Sequence, residues 1–216
     1  MLNRSETASI IIVTIILGFV LALQDWKISL STFLYATLMI FIIIVLNILV
    51  KKYVAFRLDS NIETGVWKWQ RYWVHESAYF KNPIPMGAVL PFILGLFSAG
   101  SFAWLASLEF EVSPSLSRVS KRHGLYRFSE MTEWHIALIA GTGVIANLLL
   151  ALICYIFGGH LGGFLELGAL SVYYAAFNLL PISNLDGSKI FFGSLVLWVT
   201  LAIITAIGVG VFAFII

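Results

Sequence analysis

The segment Asn178-Leu179-Leu180-Pro181-Ile182-Ser183-Asn184-Leu185-Asp186-Gly187 gathers amides, a hydroxyl, a carboxylate and a proline at the end of one uncharged run and just before another. Polar and ionisable side chains at membrane depth are expensive, which makes each a functional candidate. Pro181 cannot continue a helix, and irregular backbone within a bilayer is tolerated only where protein or a water-filled cavity surrounds it. The segment is therefore expected to line an interior cavity. Ser183 or Asp186, ahead of Gly187-Ser188-Lys189, also reads as a helix cap that needs no metal. Asn147 supplies a further amide inside an apolar run, and Asn147 and Asn178 can serve as hydrogen-bonding contacts between neighbouring helices.

The elements that must position these residues follow from composition. Of 216 residues, 60% are hydrophobic and 11% charged, with 13 Lys+Arg against 11 Asp+Glu. A soluble domain carries roughly 25% charged residues. Disorder, a coiled coil and an ordinary soluble domain are excluded. Uncharged runs cover Thr7 to Gln24, Ile28 to Val50, Asn82 to Leu108, Trp134 to Leu165, Leu167 to Leu185 and Ile190 to Ile216. About 20 apolar residues cross a bilayer as a helix, so the expected fold is an all-α, multi-pass membrane protein. Its six spans lie at about Ala8 to Leu23, Leu30 to Val50, Ile84 to Leu108, Ile136 to Phe157, Phe164 to Ile182 and Phe191 to Ile216.

The first run is read as a retained span, since no small-residue cleavage site follows it. The first two spans read as lipid-facing or scaffold helices, and the small residues of the third place it inside the bundle. Gly158 to Gly163 is a short hairpin that forces the fourth and fifth spans to pack. Lys51 to Lys81, with Trp67, Trp69, Tyr72 and Trp73, suits the headgroup region. The alternation Leu108-Glu109-Phe110-Glu111-Val112 suggests a short strand at the membrane edge. Cys154, the sole cysteine, reads as packing, and His160 as a loop residue. The net charge of +2 favours anionic headgroups over nucleic acid as a partner.

The Asn178 to Gly187 segment resembles the site-2 protease family of intramembrane zinc metalloproteases. Asn178, Pro181, Leu185, Asp186 and Gly187 match its Asn-x-x-Pro-x-x-x-Leu-Asp-Gly pattern. Ala140-Gly141-Thr142-Gly143-Val144-Ile145-Ala146-Asn147 is similar to a second family motif, keeping the glycine and asparagine but losing the proline. The resemblance covers about Trp134 to Gly193 and divides the chain into residues 1–83, two helices and an interfacial segment, and 84–216, the protease-like core. It implies that Asp186, in the Leu185-Asp186-Gly187 remnant, is a zinc ligand, and that Asn178, Pro181 and Asn147 help hold a substrate strand.

The resemblance also implies a His-Glu-x-x-His helix, in which the histidines share a face and the glutamate activates zinc-bound water. The chain has none. Its histidines are His75, His123, His135 and His160. The third span, where position would put the motif, has no ionisable residue. His75-Glu76-Ser77-Ala78-Tyr79 begins the motif but ends on Tyr79. Glu130, Glu133 and His135 offer relocated ligands for Asp186, or simply a charged helix start.

Three readings follow. The first is a non-catalytic, metal-free relative that binds transmembrane segments of clients or modulates an active protease. The second is an atypical zinc protease using Asp186 with Glu130, Glu133 or His135, and the third a small transporter or channel built on the broken helix. Charge bias favours a cytoplasmic Lys51 to Lys81, whereas the resemblance favours a cytoplasmic Glu109 to Glu133.

Overall fold

The computed structural model describes residues 3–23, 29–71, 79–115, 131–158 and 163–215. The fold is mostly helical, 71% of it, with seven helices and two two-stranded sheets among the described residues. The all-α expectation is thus corrected by four short strands. The helices are α1 (Arg4–Ala22), α2 (Leu30–Arg57), α3 (Met86–Phe97), α4 (Glu133–Phe157), α5 (Phe164–Asn178), α6 (Asp186–Gly193) and α7 (Leu195–Ile215). Four of them, α1, α2, α4 and α7, are long and apolar enough to cross a membrane. Their outward faces carry exposed large apolar side chains such as Leu34, Phe41, Leu49, Ile153, Ile203 and Phe214, which suits hydrocarbon rather than water.

Of the six expected spans, these four have helices of spanning length, while two apolar runs are broken into shorter helices. In the third, the helix has 12 residues, about 18 Å at 1.5 Å per residue, against a hydrocarbon core of about 30 Å. It ends at Ser98-Ala99-Gly100, where Ala99 and Gly100 take φ of 52° and 81° and Gly100 N–H bonds Gly95 O at 2.9 Å. The chain then runs extended into the sheet. In the fifth run, α5 stops at Asn178, ahead of Pro181, after 15 residues.

Strand β1 (Ser60–Val66) pairs antiparallel with β4 (Leu108–Pro114), Thr64 opposite Phe110. The expected strand at Leu108 to Val112 is therefore present, and its alternation buries Leu108 and Phe110. Strands β2 (Trp69–Arg71) and β3 (Tyr79–Ile84) form the second sheet. Trp67 is buried against Trp69, Trp104 and Leu185.

An Asn3 capping box starts α1. Its Glu6 takes hydrogen bonds from Asn3 N–H at 2.7 Å and Thr64 N–H at 2.9 Å, and pairs with Lys52 at 2.7 Å. One carboxylate thus ties α1 to α2 and β1. The hairpin partners α4 and α5 pack as expected, with Ser171 Oγ donating to Asn147 O at 2.8 Å and Cys154 buried between them and α7. Gly95 of α3 lies directly on Val20 of α1, in keeping with the small-residue reading of that segment.

Candidate functional site

The buried side of α2 reads Ile40, Ile44, Asn47, Ile48, Lys51 and Ala55. These positions recur at three- and four-residue spacing, one face of a helix. The helix continues past Val50 without a break, so Lys51 extends an apolar stripe inward instead of starting a solvated block. Asn47 and Lys51, four residues apart, converge on Gly143 of α4. A Cβ placed there would collide with Lys51 Cε and come within 2.8 Å of Asn47 Nδ2. Glycine is needed at 143 so that α2 and α4 can approach with two polar side chains between them.

Asp186 reaches the same place from α6. It sits 1% exposed in the first turn, where acids favour the helix dipole. Asp186 does not cap: the N-cap is Leu185 and no side-chain cap bond forms. Ser183 does not cap either, and stands exposed in the loop with φ of 50°. Instead, Asp186 Oδ2 accepts from Lys51 Nζ in a buried ion pair. Burying two charges is offset only where geometry is good and both partners are present.

Gly187 makes this placement possible. A Cβ on it would meet the carbonyl groups of Leu179 and Leu180, so α6 restarts hard against the broken end of α5. The carbonyl freed by the break at Leu179 is taken by Trp198 Nε1 at 2.9 Å. Pro181 is exposed on this loop. Asn178 Nδ2 donates to Tyr174 O at 2.8 Å, and Tyr174 lies within electrostatic reach of Asp186. Asn147 is fully buried, and among the described residues neither its Oδ1 nor its Nδ2 has a hydrogen-bond partner. Asn47 Nδ2 and Asp186 Oδ1 are likewise buried and find no hydrogen-bond partner among the described residues.

A second lysine closes the site from the sheet side. Lys189, one turn after Asp186, donates from Nζ to Phe110 O and lies 3.8 Å from the centroid of that ring, with Lys51 Nζ 5.0 Å from it. Both distances are within cation–π range. Glu109, next along β4, accepts from Lys68 N–H at 3.3 Å, and burial pushes its carboxyl up from the ordinary range against the pull of Lys189.

These residues do not fit the zinc that the resemblance implies. A catalytic zinc needs three protein ligands and an open position. The helix face opposite Asp186 offers an amide, an aliphatic side chain and an ammonium, at Asn47, Ile48 and Lys51. Among the described residues no three of His, Cys, Asp and Glu come together. Glu133 is exposed at the start of α4, and His135 Nδ1 is 2.7 Å from Thr132 Oγ1 in the N-cap of that helix. Glu130, His75-Glu76, His123 and His160 lie outside the described residues, as does the side chain of Tyr79.

The sequence points to Asn147, Asn178, Leu185, Asp186 and Gly187 as interior residues, and all five are buried: Leu185, Asp186 and Gly187 at the start of α6, Asn178 at the end of α5, and Asn147 on α4, where its carbonyl takes the Ser171 hydroxyl. It does not by itself reveal Asn47, Lys51, Gly143 or Lys189. The periodicity of Ile40, Ile44, Ile48 and Ala55 held the signal for Lys51, had the helix been extended beyond its first charge. No family model matches the chain, and no curated protein or solved structure matches it.

Proposed function

We propose that the protein is a non-catalytic, metal-free relative of the site-2 intramembrane metalloproteases, embedded in a lipid bilayer, where it binds or regulates transmembrane segments of clients or of an active protease. The observation that carries this reading is the ion pair of Lys51 and Asp186. A carboxylate neutralised by a lysine has no demand for a metal ion, and without one there is no Lewis acid to polarise a peptide carbonyl or to generate hydroxide. The local architecture of the motif supports the relationship: a helix ended ahead of Pro181, an irregular loop, and an aspartate re-entering the core. The unpartnered amide of Asn147 supports a cavity that accommodates polar groups. In this reading α3 and α5, with the segments that follow them, complete six membrane-embedded passes.

Metal content per mole tests it, on protein purified in mild detergent without chelator or histidine tag, for wild type and Asp186→Ala. Neither is expected to hold stoichiometric zinc. Zinc in the wild type that is lost in the variant would overturn the reading in favour of the atypical protease. Client binding is tested by a photoreactive amino acid at Ser183, on the exposed loop, against one at Leu34 on the lipid face. Adducts mapping to transmembrane peptides are expected at 183 alone. Absence of protein adducts there would sink the client reading.

A further inference from the structure

We infer that Lys51 is a tethered cation standing where a metal ion would sit, and that the scaffold around it keeps the geometry of a three-ligand centre. Two substitutions on α2, N47H and K51H, therefore suffice to build a zinc site with Asp186. The inference rests on the metal-free reading above and makes it specific to this chain.

Three observations carry it. Asn47 and Lys51 are four residues apart on one buried face and converge on the same glycine, the spacing at which two helical side chains can grip one ion. The Lys51 ammonium already lies on Asp186 Oδ2, so the distance from α2 to the carboxylate is that of a lysine stem plus one hydrogen bond. An imidazole is shorter than that stem, and a zinc ion held by bonds of about 2.0–2.2 Å on either side makes up the difference. Finally, Asn47 Nδ2 and Asp186 Oδ1 are buried with no hydrogen-bond partner among the described residues. Both lie on the side chains that would become, or remain, ligands. A positive charge that cannot leave thus does for Asp186 what an exchangeable ion would do, and it repels divalent cations.

Ile48, 3% exposed in the apolar core, occupies the position between the two where a general base would stand. The rebuilt site is accordingly expected to hold metal and to remain proteolytically inert.

The test is metal content and the cobalt(II) ligand-field spectrum of N47H/K51H in detergent, beside wild type and N47H/K51H/D186A. One equivalent of zinc and a tetrahedral cobalt spectrum are expected in the double variant only. Folding is followed by circular dichroism and by protection of buried Cys154 from a maleimide. A folded double variant with no metal would overturn the inference while leaving the metal-free reading standing, whereas zinc in the wild type would overturn that reading. If the double variant folds only when zinc is supplied, the inference holds. If it stays unfolded with zinc present, the inference fails.

Discussion

Lys51 and Asp186, 135 positions apart in sequence, form a buried ion pair between the inner face of α2 and the first turn of α6. Removing one partner of such a pair leaves a bare charge in a low dielectric and costs about 3–5 kcal/mol, whereas replacing both by apolar groups of similar volume is often neutral. Lys51→Met is therefore expected to lose about that much stability in denaturant titrations, and K51M/D186L to recover most of it. Equal stability of wild type and Lys51→Met would show that the pair holds nothing together.

The restart of the chain at Gly187 makes a steric prediction. Gly187→Ala drives a methyl into backbone carbonyls of Leu179 and Leu180, which cannot turn aside as a side chain can. Overpacking of this kind costs about 1–3 kcal/mol or more. Gly210→Ala in α7 meets nothing within 4 Å and is expected to be neutral or stabilising by up to about 1 kcal/mol, the helix propensity difference. Melting temperatures of the pair should move in opposite directions.

Glu6 holds three elements with one carboxylate. Hydrogen bonds to a charged group are worth about 1.5–3 kcal/mol, and Glu6→Ala removes the acceptor of the Thr64 N–H and the ion pair to Lys52. A stability loss in that range is expected. Faster amide exchange should appear at Thr64, and unchanged exchange there would contradict the tie.

Glu109 gives a pH dependence. Its folded value is raised, chiefly by burial, so the folded state binds the proton more tightly than the unfolded chain does. Its contribution to stability is fully present below the ordinary carboxylate range and is lost as pH rises through the raised value. Glu109→Gln should flatten the wild-type slope across that interval. Parallel curves for the two proteins would assign the slope to other groups.

Legibility differed by element, for physical reasons. The long helices were evident because hydrocarbon demands apolar length, and the strand at Leu108 because its alternation is strict. The break at Pro181 was legible too, because proline cannot continue a helix, but the shortness of the third helix was not, because composition counts apolar residues without registering that Ser98-Ala99-Gly100 turns the chain. Asp186 stood out as a carboxylate in an apolar setting, with a zinc ligand by resemblance and a helix cap as its two readings, and it forms no cap. A cap is local, whereas its actual partner arrives from a distant helix. Lys51 was hidden by its neighbours: Lys52, beside it, does belong to the boundary, and two adjacent lysines look alike until helical phase separates them.

The length of chain between Lys51 and Asp186 also sets an order of events at the ribosome. At about 5–20 residues per second, and with 135 positions between them, α2 waits roughly 7–27 s for its counter-charge to be made. During that interval its lysine lacks the carboxylate it pairs with in the folded chain, on a stem long enough to snorkel toward headgroups. If α2 spans a membrane, it is therefore expected to sit nearer the surface until α6 is synthesised. Truncated chains ending before Asp186 should leave Lys51 accessible to an amine-reactive reagent in the aqueous phase, and full-length chains should bury it.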